Sequence, residues 1–233
     1  MNFSRFGKTI VWGDSVARGV VYDEERRRYS ISPKAAVKYF ENEGGVPLTN
    51  RARMGMTSVD GMAQIKEDLA RGMTADTALL GFGGNDSDFD WQSISEAPEA
   101  EHLPKTSLED YERTLRGMVR ALREKGMQII MTNLPPVIAE RYFDFVSGNG
   151  RSPENILRWL GTKQRIATFH DGYSKVAERV AKNEKCIFVD LYSAFHAYGN
   201  LPALYCMDGV HPNDMGQQLI ARAVGEALSA SAV

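Results

Sequence analysis

The feature that most constrains this chain is its rhythm: five short apolar runs, separated by stretches of helical spacing. The runs are KTIVW at 8–12, VPLTNRAR at 46–53, TALLGFGG at 77–84, MQIIMTN at 127–133 and CIFVDL at 186–191. Val59, Met62, Ile65 and Leu69 fall on one helical face, as do Leu108, Tyr111, Leu115, Met118 and Leu122. A last periodic segment at about 213–229 would bury Met215, Leu219, Ile220, Ala223, Val224 and Ala227. Ser32-Pro33 reads as the start of a helix running to about Glu43, with Pro33 at the first helical position. Thr57 or Ser58 caps the next helix. Ser107 with Asp110 resembles a capping box, and Gly126 stops the helix it opens. A further helix is expected around 163–183. Apolar strands alternating with helices imply parallel pairing through crossovers, in a sheet covered on both faces.

The 233 residues suit one domain. A net charge of -2, with Arg26-Arg27-Arg28 offset by Asp23-Glu24-Glu25, argues against a nucleic-acid partner. Cys186 and Cys206 have no metal-ligand spacing and read as reduced thiols. The N-terminus has no apolar stretch of signal-peptide length, and no run approaches a membrane span, so the expected location is cytoplasmic. Nothing in the sequence specifies an oligomeric state. Two segments, 86–106 and 137–161, break the alternation. Both leave the carboxyl end of a strand, the edge where open α/β sheets hold their ligands, and both are read as rims of a site rather than a second domain.

Reactive residue types gather at the same strand ends. Ser15 follows the first strand, Gly55 the second, and Gly83-Gly84-Asn85-Asp86 the third; Asp208-Gly209-Val210-His211 comes after the fifth. A serine hydroxyl is a weak nucleophile near neutral pH and needs a base within hydrogen-bond reach, a role His211 can fill. Asp208, three residues earlier, can reach the other imidazole nitrogen and fix its tautomer. Attack on an acyl carbon puts negative charge on the carbonyl oxygen. The Ser15 N–H, the Gly55 N–H and the Asn85 amide are the donors that fit it.

These blocks in this order resemble the SGNH hydrolases, the superfamily also called GDSL esterases/lipases. The matching residues are Gly13-Asp14-Ser15, Gly55, Gly83-Gly84-Asn85-Asp86 and Asp208-x-x-His211, and the likeness spans residues 8–228. It implies a flavodoxin-like three-layer α/β/α sandwich with a five-stranded parallel sheet. It also implies a catalytic triad of Ser15, His211 and Asp208 and an oxyanion hole of Ser15, Gly55 and Asn85. The chain departs from the pattern at Val16, where leucine is usual, and at Ala52, where a second glycine often stands. The reaction implied is hydrolysis of a small-molecule carboxylic ester through an acyl-enzyme, with no cofactor. Short acyl groups, acetyl on a carbohydrate among them, are expected because no long apolar lid is visible. A lysophospholipase or thioesterase of the same superfamily is the alternative. A flavin- or nucleotide-binding α/β protein is a third reading, weakened by the lack of a glycine-rich phosphate loop after the first strand.

Other residues have plainer readings. His102 lies in a charged loop, and His170 and His196 lack an acid three residues before them; all three are expected in surface or helix roles. Asp14 is read as a turn residue and Asp86 as a brace for its loop. The acidic stretch 86–91 lacks the glycine and distal glutamate of a calcium loop, so no metal site is expected. Trp91, Tyr142, Phe143, Phe145 and Trp159 either pack the two inserted segments or line a substrate pocket; Trp91, Tyr142, Phe143 and Trp159 are the candidates for substrate binding. Arg53 and Arg141 are expected at the surface.

Overall fold

The computed structural model describes residues 3–231. Its elements in chain order are β1 (Thr9–Gly13), α1 (Ser15–Arg18), β2 (Val20–Asp23), β3 (Arg28–Ile31), α2 (Ala36–Asn42), β4 (Leu48–Asn50), α3 (Ser58–Ala70) and β5 (Thr77–Gly81). They continue with α4 (Trp91–Glu96), α5 (Leu108–Arg123), β6 (Gln128–Thr132), α6 (Ala139–Val146), α7 (Pro153–Leu160), α8 (Arg165–Asn183), β7 (Ile187–Val189), α9 (Leu191–Ala197) and α10 (Asp214–Ala230), with short 3-10 turns at Ser4–Phe6 and Leu201–Leu204.

Five strands form one sheet in the order β4-β1-β5-β6-β7, and every pairing is parallel. This is the flavodoxin-like order, with its reversal at β1. Strand residues alternate faces. Ile10, Trp12, Ala78, Leu80, Ile129 and Met131 meet α3, α5 and α8 on one side. Ile130, Leu79, Ile187 and Val189 meet α2, α9 and α10 on the other. The three-layer α/β/α sandwich expected from the sequence is therefore the fold observed.

The caps of α3 and α5 are local and were legible. Thr57 and Asp60 form a reciprocal capping box, and the Ser107 hydroxyl accepts the Asp110 N–H. The start of α2 is not where the sequence put it. Ser32 spends its hydroxyl on the Lys34 amide and on the Asp214 carboxylate, and the first α2 amide, Ala36, donates to Gln217 Oε1. The cap comes from α10, 181 residues away, so the helix begins four residues after Ser32. Met215, expected to be buried, is exposed, as are Val59 and Leu108 from the two predicted helical faces; each lies in the first turn of its helix. The β2–β3 hairpin was not expected. It forms a separate antiparallel pair across the DEERRR turn, and its polar, irregular alternation hid it. Segments 86–106 and 137–161 contain α4, α6 and α7, which gather their aromatic residues into a small core of their own. Among the described residues no helix is long and apolar enough to cross a membrane.

Candidate active site

β1 ends against β5, where the Asp14 N–H donates to the Gly81 carbonyl. Asp14 then caps α1 by accepting the Val16 N–H, so Ser15 becomes the first helical residue, poised at a helix N-terminus. Gln217, fully buried on α10, donates to the Val16 carbonyl and ties α1 down from below. Asp208 and His211 lie between the second 3-10 turn and α10; α9 separates them from β7, so they do not directly follow the fifth strand. The loop folds tightly. Gly209 has φ of +73°, and a Cβ there would meet the Ile138 carbonyl at 2.7 Å and the Tyr142 amide at 2.8 Å. Only glycine accepts both that conformation and that approach.

The folded chain brings Ser15 and His211 together across 196 residues, with Oγ to Nε2 at 2.9 Å. His211 Nδ1 lies 2.7 Å from Asp208 Oδ2. The other Asp208 oxygen accepts the amides of Val210 and His211. Burial pushes the Asp208 carboxyl up, but the His211 contact and the two amides outweigh it and hold the group below the ordinary carboxylate value. All three side chains are buried. The arrangement is a hydroxyl, a base and an anion in line, the geometry that activates a serine.

Gly55 sits in an exposed loop after β4 with φ of +78°, in the left-handed region that favours glycine. Two side chains tie that loop to α1: Asn50 donates to Ala17 O and accepts the Ala52 N–H, and Arg18 donates to Ala52 O. Asn85 donates one amide hydrogen to the Met56 carbonyl, which fixes the side chain and leaves its second hydrogen for another acceptor. Asp86 braces its loop through a partner outside it. Its carboxylate accepts the Ser58 amide and hydroxyl, pinning the loop after β5 to the start of α3.

A cavity of about 310 Å³ opens beside Ser15 and His211. Tyr142 lines it, as does Phe145, which is largely exposed. The other aromatic candidates do not. Phe143 is buried in the core of the inserted segments; Trp91 and Trp159 pack around Phe89, and the Trp91 N–H is used by Asp88. Asp88 also accepts the Tyr142 hydroxyl and the Lys105 ammonium, so the aromatic rim is braced from behind. Arg53 is exposed, whereas Arg141 is not free at the surface: it donates to the carbonyls of Pro202, Tyr205 and Cys206 and clamps the strand of chain leading to Asp208. His170 is a helix residue, on α8. It is buried against the cavity, and burial lowers its pKa to about 4, so it stands neutral. His102 contacts the Ala97 carbonyl and His196 is exposed on α9, both away from the site. Among the described residues no group of three or more His, Cys, Asp or Glu is placed to hold a metal ion.

Sequence reasoning missed Tyr29. It comes from the hairpin, donates its hydroxyl to Asp208 Oδ2 at 3.2 Å and lays its ring 5.0 Å from the His211 ring. No local signal marks it, because only tertiary folding brings β3 against the Asp208 loop.

The geometry accords with the chain's relatives. The sequence profile of the GDSL-like lipase/acylhydrolase family matches residues 11–219. An acetylxylan esterase of Geobacillus stearothermophilus is 27% identical over 187 residues, covering 78% of this chain and 71% of its own. The lipase/acylhydrolase from Enterococcus faecalis has a similar structure, with a TM-score of 0.66 at 20% identity over 96% of each chain. The acetylxylan esterase structure from Geobacillus stearothermophilus superposes at a TM-score of 0.63 and 22% identity, over 95% of this chain and 93% of that one.

Proposed function

The chain belongs to the GDSL-like lipase/acylhydrolase family and is a serine esterase; from that premise we propose how its own residues carry the reaction. Ser15 Oγ attacks the ester carbonyl carbon while His211 Nε2 takes its proton. The carbonyl π electrons move to the oxygen, which the Ser15 amide, the Gly55 amide and the Asn85 side chain then stabilise. Each such donor is typically worth on the order of 3 kcal/mol in the transition state. Collapse breaks the bond to the alcohol oxygen, and His211 returns the proton to that leaving group. Water repeats the sequence on the acyl-enzyme and frees the acid and Ser15. Asp208 keeps Nδ1–H pointed at itself and stabilises the imidazolium. Segments 86–106 and 137–161 belong in this reading to the same single domain and form its rim, with Tyr142 beside the leaving group.

The observation that carries the assignment is the continuous chain of contacts, Ser15 to His211 at 2.9 Å and His211 to Asp208 at 2.7 Å. A fluorophosphonate probe should modify one residue, Ser15, as read by peptide mass spectrometry. Modification elsewhere, or none in folded protein, would overturn it. For the substrate, likeness to an acetylxylan esterase supports short acyl esters of carbohydrates. A specific observation favours the second reading, longer acyl groups as in a lysophospholipase or thioesterase: the cavity beside Ser15 has mostly apolar walls.

A further inference from the structure

His170 is a buried polar residue that the reaction leaves unused. It lies on α8 and is 7% exposed. It lines the cavity beside Ser15 and His211. It also lines a smaller cavity of about 30 Å³, which shares Gly84, Asp88, Tyr142 and Val210 with the first. A space of that size keeps its walls close together. Gly84 precedes the oxyanion donor Asn85, and Val210 precedes the base His211. The imidazole therefore stands beside both loops that handle the ester.

Among the described residues nothing satisfies that ring. Nδ1 is sealed and makes no hydrogen bond, and none reaches Nε2. The polar groups around it are committed to one another. The Tyr142 hydroxyl and the Trp91 N–H both donate to Asp88 Oδ1, the Lys105 ammonium donates to Asp88 Oδ2, and the Ser87 hydroxyl donates to the Gly84 carbonyl. A buried polar group without a partner is rare and calls for an explanation. A neutral imidazole carries one N–H and one lone pair. Burying the N–H without an acceptor forfeits a whole hydrogen bond, whereas a sealed lone pair is the smaller loss. The proton therefore sits on Nε2, the nitrogen that is not sealed, and burial keeps the ring neutral, with a pKa of about 4. The result is a desolvated donor at the cavity wall with no acceptor in the protein.

A short-chain ester offers few acceptors to such a donor. In the reaction above, its carbonyl oxygen is served by Ser15, Gly55 and Asn85, and its alcohol oxygen by His211. A further acceptor has to lie on the alcohol part, beyond the ester oxygen. We propose that His170 is a specificity-determining residue: its Nε2–H donates to a free hydroxyl of the alcohol part, so that the chain selects short-chain esters of polyols or sugars over those of simple alcohols. The proposal rests on the short-acyl serine-esterase reading and deepens it by naming the residue that reads the alcohol. An alcohol without that hydroxyl leaves a buried N–H unpaired in the complex, which should lower kcat/KM by about ten- to a hundredfold relative to one that has it.

The test compares two esters of similar ring size, a monoacetylated methyl xyloside and cyclohexyl acetate, on the native chain, His170→Phe and His170→Gln. His170→Phe keeps a ring and removes both nitrogens. His170→Gln places an amide nitrogen near the position of Nε2. The xyloside-to-cyclohexyl ratio of kcat/KM should fall at least tenfold in His170→Phe and stay within threefold of native in His170→Gln. A folded Phe variant that changes both esters by the same factor, or a folded Gln variant that loses the ratio as fully as Phe does, overturns the proposal; native turnover of cyclohexyl acetate leaves the esterase reading standing in either case. Nitrogen NMR of the His170 ring in Ser15→Ala supplies a readout that needs neither variant nor turnover. The proton should be found on Nε2, and that resonance should shift on saturation with the acetylated xyloside but not with cyclohexyl acetate. A proton on Nδ1, or a resonance indifferent to the xyloside, overturns the proposal whatever the kinetics.

Discussion

The two faces of the sheet are built from the same strands and the same residue types, but they are packed differently. On the α3/α5/α8 side, Ile10, Trp12, Leu80, Ile129 and Met131 are at most 2% exposed and belong to a continuous core with Tyr111, Leu115 and Met118. On the α2/α9/α10 side, Leu79, Leu48 and Val16 are only partly buried and line the cavity. The difference teaches where this molecule keeps stability and where it keeps room for a ligand. Complete packing gains dispersion contacts and excludes water; incomplete packing gives some of that up. The chemistry stands at the rim of the incompletely packed face, with Ser15 and His211 at its mouth.

The largest effect should come from separating chemistry from packing altogether. Ser15→Ala should lower p-nitrophenyl acetate turnover by about 10⁴-fold or more, while leaving the thermal midpoint close to that of the native chain. A folded mutant that retains turnover would remove the catalytic rim from the comparison.

The comparison itself is tested by adjacent leucines on one strand. Leu80→Ala empties a position in the sealed core and should cost about 3–5 kcal/mol, whereas Leu79→Ala widens an existing void and should cost about 1–2 kcal/mol. Urea denaturation of the two proteins measures the gap. Equal losses would mean that the second face is as tightly packed as the first.

Asp14 sharpens the comparison at the mouth. Burial raises its pKa from the ordinary 3.8 to about 6, against the Val16 amide and the nearby His211. A group whose pKa is raised by folding holds its proton more tightly in the native state. Its contribution is therefore full below about pH 3.8 and is lost as pH rises through 6. The native chain should lose up to about 3 kcal/mol through this group between pH 4 and 7. Asp14→Asn, which keeps an acceptor for the Val16 amide, should flatten that part of the stability–pH curve. Parallel curves for the two proteins would show that Asp14 titrates normally.

The smallest effect belongs to Tyr29. Tyr29→Phe removes one hydrogen bond to Asp208 while keeping the ring against His211. A bond of this kind is worth about 1 kcal/mol, so kcat should fall about two- to fivefold with little change in KM. A loss as large as that of Ser15→Ala would make the hairpin part of the chemistry itself.

Much of the site was legible because its signals are local. Gly13-Asp14-Ser15 is a strand end, an N-cap and a first helical residue in three consecutive positions, and Asp208-Gly209-Val210-His211 folds back on itself through one glycine. The five strands of the parallel sheet and the helices α3, α5 and α10 declared themselves by their apolar spacing. What stayed hidden depends on partners far along the chain. The start of α2 is set by Gln217 on α10, Tyr29 meets Asp208 across 179 residues, and Arg141 clamps carbonyls more than 60 residues away. The aromatic residues of the inserted segments misled for the same reason. Sequence marks Phe143 and Trp159 as large and apolar, but not which surface they cover.

The sequence by itself determined the alternation of strands and helices, the reactive residues and the order in which they come, because backbone propensity, capping and side-chain chemistry act over a few residues. Tertiary structure alone decided that one face of the sheet is filled and the other hollow, since a void is a property of how helices from distant parts of the chain settle against the strands and no local pattern encodes its volume.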